Sequence, residues 1–289
     1  MVSFFTYLVK IFTGGFMIFP DYHLHSEFSS DCNTSIQHII TSAKEKGITS
    51  ICITDHYDMD FPVLPEAPDM RFDLDDKTYY DTLSKLRDTL LPNFDLRIGI
   101  ELGVTKENIQ KLISYTAERP EYDFFIASSH LVDNMDPYYP TYFEGQTEKQ
   151  AYMRYFETIL YNVTHFKGYN VYGHLDYILR YGPTKACNFK ITDYYDIFKE
   201  IFKIIVYDGK GIEINTGSLY KNMTFPHPHK DILKMYKDAG GEIITVGSDA
   251  HYPQHIGYGF DIANKLLKEV GFNYYCTFSK QKPDFVPIV

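Results

Sequence analysis

The chain has 289 residues, a formal net charge of −10 and 44% hydrophobic side chains. This length and composition suit one large hydrophobic core, so we expect one domain rather than two. The acidic balance excludes proteins that coat nucleic acid, which need clustered Lys and Arg, but it admits a phosphate substrate if bound divalent cations supply positive charge locally.

The N-terminal segment is apolar, but it does not resemble a membrane anchor. Lys10 and the Gly14-Gly15 pair interrupt it, and no uninterrupted run approaches the roughly 20 apolar residues that span a bilayer. No small-residue cleavage pattern of a secretory signal follows. We therefore interpret residues 1–18 as an N-terminal extension, with Met17 as an alternative start, and residues 19–289 as a single domain.

The cysteines indicate a reducing compartment. Their spacing matches neither a metal-knuckle motif nor a dense disulfide framework. We expect reduced thiols in a cytoplasmic protein that has no membrane association. The four positions are Cys32, Cys52, Cys187 and Cys276.

Apolar, β-rich runs alternate with segments of helical period along the chain, which predicts parallel strands joined by crossover helices. In the helical segments 35–46, 230–239 and 261–270, apolar residues recur on one face, and a glycine follows each segment. Glycine is the usual residue just past a helix C-terminus. Seven strands are predicted, at 19–24, 50–54, 96–100, 124–128, 171–173, 211–214 and 242–246.

Seven strand–helix units predict a closed α/β barrel of the TIM-like (β/α)7 type. An open doubly wound sheet has the same alternation, but no Gly-rich phosphate loop or dinucleotide fingerprint follows any predicted strand. Two stretches, 58–77 and 133–147, are long for simple connections and have no clear periodicity. Such loops usually shape a site.

Polar residues with metal-binding side chains stand where the predicted strands end. In an α/β barrel these C-terminal strand ends face one common pocket. Six of the eleven histidines fall there together with three carboxylates, which a random scatter would rarely produce. The nine candidate metal ligands are His23, His25, Asp31, His56, Glu101, His130, His174, Asp249 and His251.

Nine nitrogen and oxygen ligands exceed the needs of one tetrahedral zinc. They predict two or three divalent ions, Zn, Mn or Fe, with a carboxylate bridging between them. Glu101 is the preferred bridge. Paired metals suit in-line displacement at phosphorus, with a bridging hydroxide as the nucleophile.

At this point the chain resembles the polymerase and histidinol phosphatase (PHP) superfamily. The resemblance spans most of the chain and implies a distorted seven-stranded barrel with a trinuclear metal centre. Its block from His174 to Gly182 and the absence of polymerase modules look most like the stand-alone histidinol-phosphatase branch. The motifs are His23-Leu24-His25, Thr54-Asp55-His56, Glu101, Ser129-His130, His174-Leu175-Asp176 and Gly247-Ser248-Asp249-Ala250-His251.

The resemblance implies a division of the ligands among three metals. His23, His25, Glu101 and Asp249 would hold the first, Glu101, His130 and His174 the second, and Asp31, His56 and His251 the third. Glu101, Asp249 and His251 are therefore also expected to be catalytic. Asp55 and Asp176 are interpreted as acceptors that orient ligating imidazoles, with proton transfer to the leaving group as an alternative role.

Arg180, just beyond the fifth strand, is the candidate phosphate-binding residue, because a guanidinium offers a planar fork of donors to phosphate oxygens. Asn215 and Lys221, after the sixth strand, complete the expected substrate contacts. The branch often reads Asn-Thr-Ser-Gly-Leu-Arg there, whereas this chain ends the block with Tyr220. Lys221 replaces the missing Arg only as a point charge. His227 is interpreted as a residue of a Pro-rich turn.

The resulting hypothesis is a metal-dependent histidinol-phosphatase of histidine biosynthesis, with L-histidinol phosphate as its small phosphomonoester substrate. One alternative is a PHP-type phosphoesterase that acts on another small phosphomonoester or nucleotide. An alternative of a different class is a non-catalytic metal-binding domain, although all nine ligand positions carry competent side chains.

Overall fold

The computed structural model describes residues 19–288, so the N-terminal extension and the alternative start at Met17 lie outside the described residues. Within this range, no helix has the length and apolar character needed to cross a membrane.

Parallel strands occupy seven positions around a common interior, in chain order. The second position is an interrupted strand, because β2 pairs with the first half of β4 and β3 with its second half. The seven predicted strands are thereby confirmed, with ends shifted by a few residues. Their bounds are β1 Asp21–Leu24, β2 Ser50–Ile53, β3 His56–Tyr57, β4 Asp95–Gly103, β5 Phe124–Ser128, β6 Val171–Tyr172, β7 Gly211–Asn215 and β8 Ile244–Gly247.

The sheet closes where the segment after β8 returns to β1. The backbone N–H of Asp249 donates to the carbonyl of His23 at 2.8 Å, and that of His25 donates to the carbonyl of Ala250 at 3.1 Å. These bonds continue the parallel ladder at the C-terminal end of the strands. The predicted barrel is confirmed, and closure occurs within the segment that carries predicted ligands.

Helices cover the outside of the barrel and bury one apolar face each. The side chain of Ser35 accepts the His38 N–H at the start of α1, and Thr147 with Gln150 forms a capping box on α4,. Gly271 ends α8 with a φ of 93°, a conformation that favours glycine. The helices are α1 Ile36–Glu45, α2 Asp76–Leu90, α3 Ile109–Ala117, α4 Glu148–His165, α5 Tyr195–Tyr207, α6 Gly217–Tyr220, α7 Lys230–Asp238 and α8 Phe260–Val270.

An antiparallel hairpin, β9 Tyr274–Ser279 and β10 Lys282–Pro287, covers the N-terminal end of the barrel and was not predicted. Tyr22 in β1 bonds twice to the backbone of Phe278: its hydroxyl donates to the carbonyl at 3.2 Å and accepts from the N–H at 2.9 Å. Phe278 also packs on Phe124, with ring centroids 4.9 Å apart. One end of the interior is therefore apolar, which leaves polar chemistry to the other end.

Candidate metal centre and active site

Glu101, at the C-terminal half of β4, is the centre of the polar end. Its carboxylate is fully buried, and ring nitrogens of five histidines surround its two oxygens. The distances are 2.9 Å to His174 and 3.2 Å to His130 from Oε1, and 3.2 Å to His23, 3.5 Å to His25 and 2.9 Å to His56 from Oε2.

The remaining three predicted ligands extend this cluster toward the solvent. Asp249 Oδ1 lies 3.4 Å from His25 Nε2, and Asp31 Oδ2 lies 3.1 Å from His251 Nε2 and 3.6 Å from His56 Nε2. The rings of His25 and His251 stack at 4.2 Å. The fold thus brings all nine predicted ligands into one contiguous group.

A hydrogen bond at Nδ1 holds each of three imidazoles of the cluster in place. His23 Nδ1 lies 2.7 Å from Glu213, and His130 Nδ1 lies 2.7 Å from Asp58. His251 Nδ1 donates to the carbonyl of Asp249 at 3.1 Å. An Nδ1–H bonded in this way fixes the tautomer and leaves Nε2 to bind a metal, the usual arrangement of ligating histidines.

Glu213 and Asp58 were missed by the sequence analysis. Glu213 precedes Asn215 by two positions on β7 and therefore shares its face, and Asp58 directly follows β3, two positions after His56. Gly103 makes room for Asp58, because a Cβ at that glycine would lie 2.1 Å from the Asp58 carboxyl carbon. The alternation of side chains was the available signal for both residues.

The buried histidines and carboxylates of the cluster shift one another's pKa values. Burial alone would raise the pKa of Glu101, but His23, His56 and His130 hold it well below its usual range. Burial alone would lower the pKa of His130, but Asp58 and Glu101 raise it to about 10. The carboxylates that attract protons onto these imidazoles also attract divalent cations, which compete with the protons for the same nitrogens.

Several facing atoms of the cluster have no hydrogen bond. They are buried, and a buried polar atom without a partner needs an explanation. Three groups of ligand atoms each lie within 4.8 Å of one another, and their N and O donor types suit divalent ions. The residues present therefore fit a metal centre. The unbonded atoms are His23 Nε2, His25 Nε2, His56 Nδ1 and Glu101 Oε2.

Comparison with known proteins agrees with this geometry, since residues 21–217 match the PHP domain family. The chain belongs to the PHP family. A histidinol-phosphatase of Lactococcus lactis is 32% identical over 265 residues, which are 91% of this chain and 96% of the relative. A probable histidinol-phosphatase of Clostridium acetobutylicum is 32% identical over 252 residues, which are 87% and 93% of the two chains.

A solved PHP structure supports the fold as well. The crystal structure of Lactococcus lactis histidinol phosphate phosphatase, complexed with Zn, L-histidinol and phosphate, has a TM-score of 0.82 to this chain. The two chains are 31% identical, and the match covers 92% of this chain and 99% of the other. Both the barrel and the divalent-metal character of the cluster are consistent with that complex.

Asp55 occupies a different place in this PHP site from the one expected. It accepts hydrogen bonds at 2.6 Å from the Ser26 N–H and from the hydroxyls of Ser26 and Ser29. Asp55 therefore holds the turn after β1. It reaches a ligating imidazole only through Ser29, whose hydroxyl lies 3.2 Å from His25 Nδ1.

Asp176 likewise orients a histidine other than the expected ligands. It accepts from His227 Nδ1 at 2.6 Å and from the His229 N–H at 2.7 Å. His227 is fully buried and its Nε2 has no hydrogen-bond partner. The interpretation of His227 as only a turn residue is therefore incomplete, because a carboxylate at the C-terminal end of the barrel holds its ring.

Arg180 is a buried cation with free donors. Only 7% of the residue is exposed, and its Nε and Nη1 have no hydrogen-bond partner. Its guanidinium carbon lies 4.5 Å from the ring centre of Tyr177 and 4.8 Å from that of Tyr181. Such a group is suited to bind an anion, because its desolvated N–H groups gain charge-assisted hydrogen bonds.

Lys221 adds a second cation beside Arg180. The residue is exposed overall, and its ammonium nitrogen lies 5.7 Å from the ring centre of Tyr220. Desolvation by burial and the nearby guanidinium of Arg180 lower the pKa of Lys221 to about 8. Asn215, by contrast, accepts from the Gly217 N–H at 2.9 Å and donates to Glu213 at 3.2 Å. Both ends of the Asn215 amide therefore bond to the protein, and its contact with the substrate stays a prediction.

Tyr220 stands where the histidinol-phosphatase branch often has Arg, and it contacts the segment that carries the predicted ligand Asp249. Its hydroxyl lies 2.5 Å from the carbonyl oxygen of Asp249 and 3.2 Å from that of Ser248. Asp249 has a φ of 55°, which is uncommon for a residue with a side chain. Tyr220 therefore holds this backbone conformation instead of supplying a phosphate-binding charge.

Proposed function

We propose that this protein hydrolyses L-histidinol phosphate to L-histidinol and phosphate, as a metal-dependent phosphatase of histidine biosynthesis. One observation carries the proposal: a buried guanidinium with free donors, Arg180, stands at the same barrel end as the cluster of histidines and carboxylates that could hold metal ions. The names of the relatives from Lactococcus lactis and Clostridium acetobutylicum support the choice of substrate. The free cysteines fit a cytoplasmic location.

The metal centre of this proposal would hold two or three divalent ions. Glu101 would be a ligand of two of them, and the zinc in the Lactococcus lactis complex favours Zn over Mn or Fe. The proposed partition is His23, His25, Glu101 and Asp249 for one ion; Glu101, His130 and His174 for the next; and Asp31, His56 and His251 for the third. When bound, the ions supply water of lowered pKa and neutralise negative charge on the phosphoryl group.

The protein's own residues bind and orient the ester. Arg180 donates to phosphate oxygens through its free Nε–H and Nη1–H groups, and Lys221 adds positive charge at the open side. Glu213 and Asp58 keep the His23 and His130 rings in the tautomer and orientation that metal binding needs,. Because these groups are held before the substrate arrives, little reorganisation is needed during the reaction.

A second candidate, hydrolysis of another small phosphomonoester, is favoured by one observation. The expected second phosphate-binding Arg is replaced by Tyr220, which bonds to backbone carbonyls. Lys221 supplies charge without the bidentate geometry of a guanidinium. If the phosphate is bound less tightly, selectivity depends more on contacts with the alcohol part of the substrate, and that alcohol can differ from L-histidinol.

Steady-state phosphate release tests the proposal. Metal-reconstituted protein should act on L-histidinol phosphate with a kcat/KM at least about tenfold above that for a nucleoside monophosphate and for p-nitrophenyl phosphate, a difference of about 1.4 kcal/mol in transition-state binding. An equal kcat/KM for all three esters would favour the second candidate. Bound zinc without turnover of any ester would contradict both proposals.

A further inference from the structure

The nine predicted ligands differ in how far their side chains are exposed to solvent. The side chain of Asp31 is 31% exposed and that of His251 is 16% exposed, the two largest values in the group. The side chains of His23 and His25 are fully buried, and that of Glu101 is 1% exposed. An ion bound on the Asp31 side of the cluster therefore meets solvent, whereas an ion bound beside Glu101 is enclosed by protein.

The ligand sets of the proposed partition lie at different depths. We call Asp31, His56 and His251 the outer set, and the two sets that share Glu101 the inner sets. Asp31 Oδ2 lies 3.1 Å from His251 Nε2 and 3.6 Å from His56 Nε2, so the outer side chains face one another. The outer set shares no side chain with the inner sets. An outer ion can therefore leave without removing a ligand from the inner ions.

One imidazole in each inner set bonds to a buried carboxylate. His23 Nδ1 lies 2.7 Å from Glu213, and His130 Nδ1 lies 2.7 Å from Asp58. Glu213 is 1% exposed and Asp58 is 4% exposed. A negative charge at Nδ1 makes Nε2 a stronger donor to a metal, and loss of such a partner weakens metal binding by about 10- to 100-fold. These two carboxylates therefore increase the affinity of the inner sets.

The outer set has no such carboxylate of its own. His251 Nδ1 donates to the backbone carbonyl of Asp249 at 3.1 Å, which is a longer bond to an uncharged acceptor. His56 Nδ1 lies 2.9 Å from Glu101, whose charge the inner ions would neutralise. Asp31 is thus the one negative side chain that belongs to the outer set alone. The outer imidazoles are weaker donors than His23 and His130.

We infer that the outer ion binds more weakly than the inner ions and exchanges with zinc in solution, so that free zinc controls activity through the outer set. The inference rests on the proposed function and its partition of ligands. The exposure of Asp31 and His251 gives water and chelators a route to the outer ion. Without that ion the enzyme keeps its barrel and its inner ions, but it lacks one positive charge for the phosphoryl group.

Stepwise removal of zinc tests the inference. Zinc-loaded protein is equilibrated with chelators of increasing affinity, and bound zinc per chain, melting temperature and cleavage of L-histidinol phosphate are measured at each step. We expect one ion per chain to leave at a free-zinc concentration at least about tenfold above the one that empties the inner sets. Cleavage should be lost with this first ion, whereas the melting temperature should fall mainly with the later ones.

Asp31→Asn removes the negative charge of the outer set at almost unchanged size. It should eliminate the first ion to be released and leave the release of the others unchanged. Glu27→Gln is the matched control, because Glu27 is an exposed carboxylate of the same loop that is not among the predicted ligands. It should release zinc as the unmodified protein does. Asp58→Asn should act on the inner sets and raise the free-zinc concentration at which they lose zinc by about tenfold or more.

Release of all zinc in a single step from the unmodified protein would overturn the inference, and so would an equal loosening of every ion in Asp31→Asn. Good cleavage of L-histidinol phosphate beside single-step release would leave the proposed function intact and refute the inference alone. Two-step release that responds to Asp31→Asn as expected, in a protein that cleaves no L-histidinol phosphate, would support the order of affinities and refute the proposed function.

Discussion

Glu101 contacts five histidines through one buried carboxylate, so we expect its replacement to harm the site more than any other single change. Glu101→Gln keeps the shape but removes the charge that a bridging ligand needs. Activity should fall by about a hundredfold or more, as it does when an interaction that orients or binds a metal is lost. The measurements are kcat and bound metal per chain, with circular dichroism to check the fold.

Glu144→Gln provides the control for Glu101→Gln, because Glu144 is an exposed carboxylate that is not among the predicted metal ligands. Retained activity and metal content in Glu144→Gln, beside loss of both in Glu101→Gln, would support the bridge. Near-normal turnover and unchanged metal content in Glu101→Gln would contradict the assignment.

A Tyr220 variant tests whether hydrogen bonds to the backbone of Asp249 affect how tightly this predicted ligand binds zinc. Tyr220→Phe removes the hydroxyl that bonds to the carbonyls of Ser248 and Asp249 while it keeps the ring stacked on His255. The loss should cost about 1 kcal/mol of stability and weaken zinc binding severalfold, because Asp249 is held less firmly at its positive φ. Zinc affinity by competition with a chelator is the direct measurement.

Tyr258→Phe is the matching variant, since the half-exposed Tyr258 ring touches Tyr220 edge-on. It should leave zinc affinity unchanged. If Tyr220→Phe alters only the melting temperature and not zinc affinity, Tyr220 stabilises the fold without positioning Asp249.

At the level of the elements, the barrel was predictable because apolar, β-rich runs alternate with segments of helical period, three of which are followed by glycine,. The hairpin of β9 and β10 escaped because its two turn residues, Lys280 and Gln281, have φ values of 48° and 62° without being glycine or asparagine. The usual hairpin signal is Asn-Gly or a similar pair. The strand β3 escaped because two residues give no periodicity.

The hairpin closes the apolar end of the barrel, and its contribution to stability should exceed its contribution to activity. Phe278→Ala removes a ring that is 2% exposed and should reduce the free energy of unfolding by about 3–5 kcal/mol. Phe285→Ala should cost much less, because Phe285 in β10 is 47% exposed. Urea unfolding measures both, and kcat per folded molecule should change in neither. A specific loss of kcat in folded Phe278→Ala would show coupling between the two ends.

For the whole molecule, we expect bound metal to stabilise the closed barrel, because its proposed ligands lie in or after β1, β3, β4, β5, β6 and β8 and include residues of the closure between β8 and β1. An ion that binds only the folded state stabilises it by about 4 kcal/mol at a thousandfold excess over its dissociation constant. We therefore expect chelation to lower the melting temperature by on the order of 10 °C. Added zinc should restore it in a concentration-dependent way.

In Glu101→Gln, chelation should lower the melting temperature by less than in the unmodified protein. Phe278→Ala should lower the melting temperature with and without zinc by similar amounts, since the hairpin and the metal centre stabilise opposite ends of the barrel. A melting temperature that neither the chelator nor zinc changes would mean that the buried histidines and carboxylates stabilise the barrel as ion pairs and that the cluster is not a metal centre.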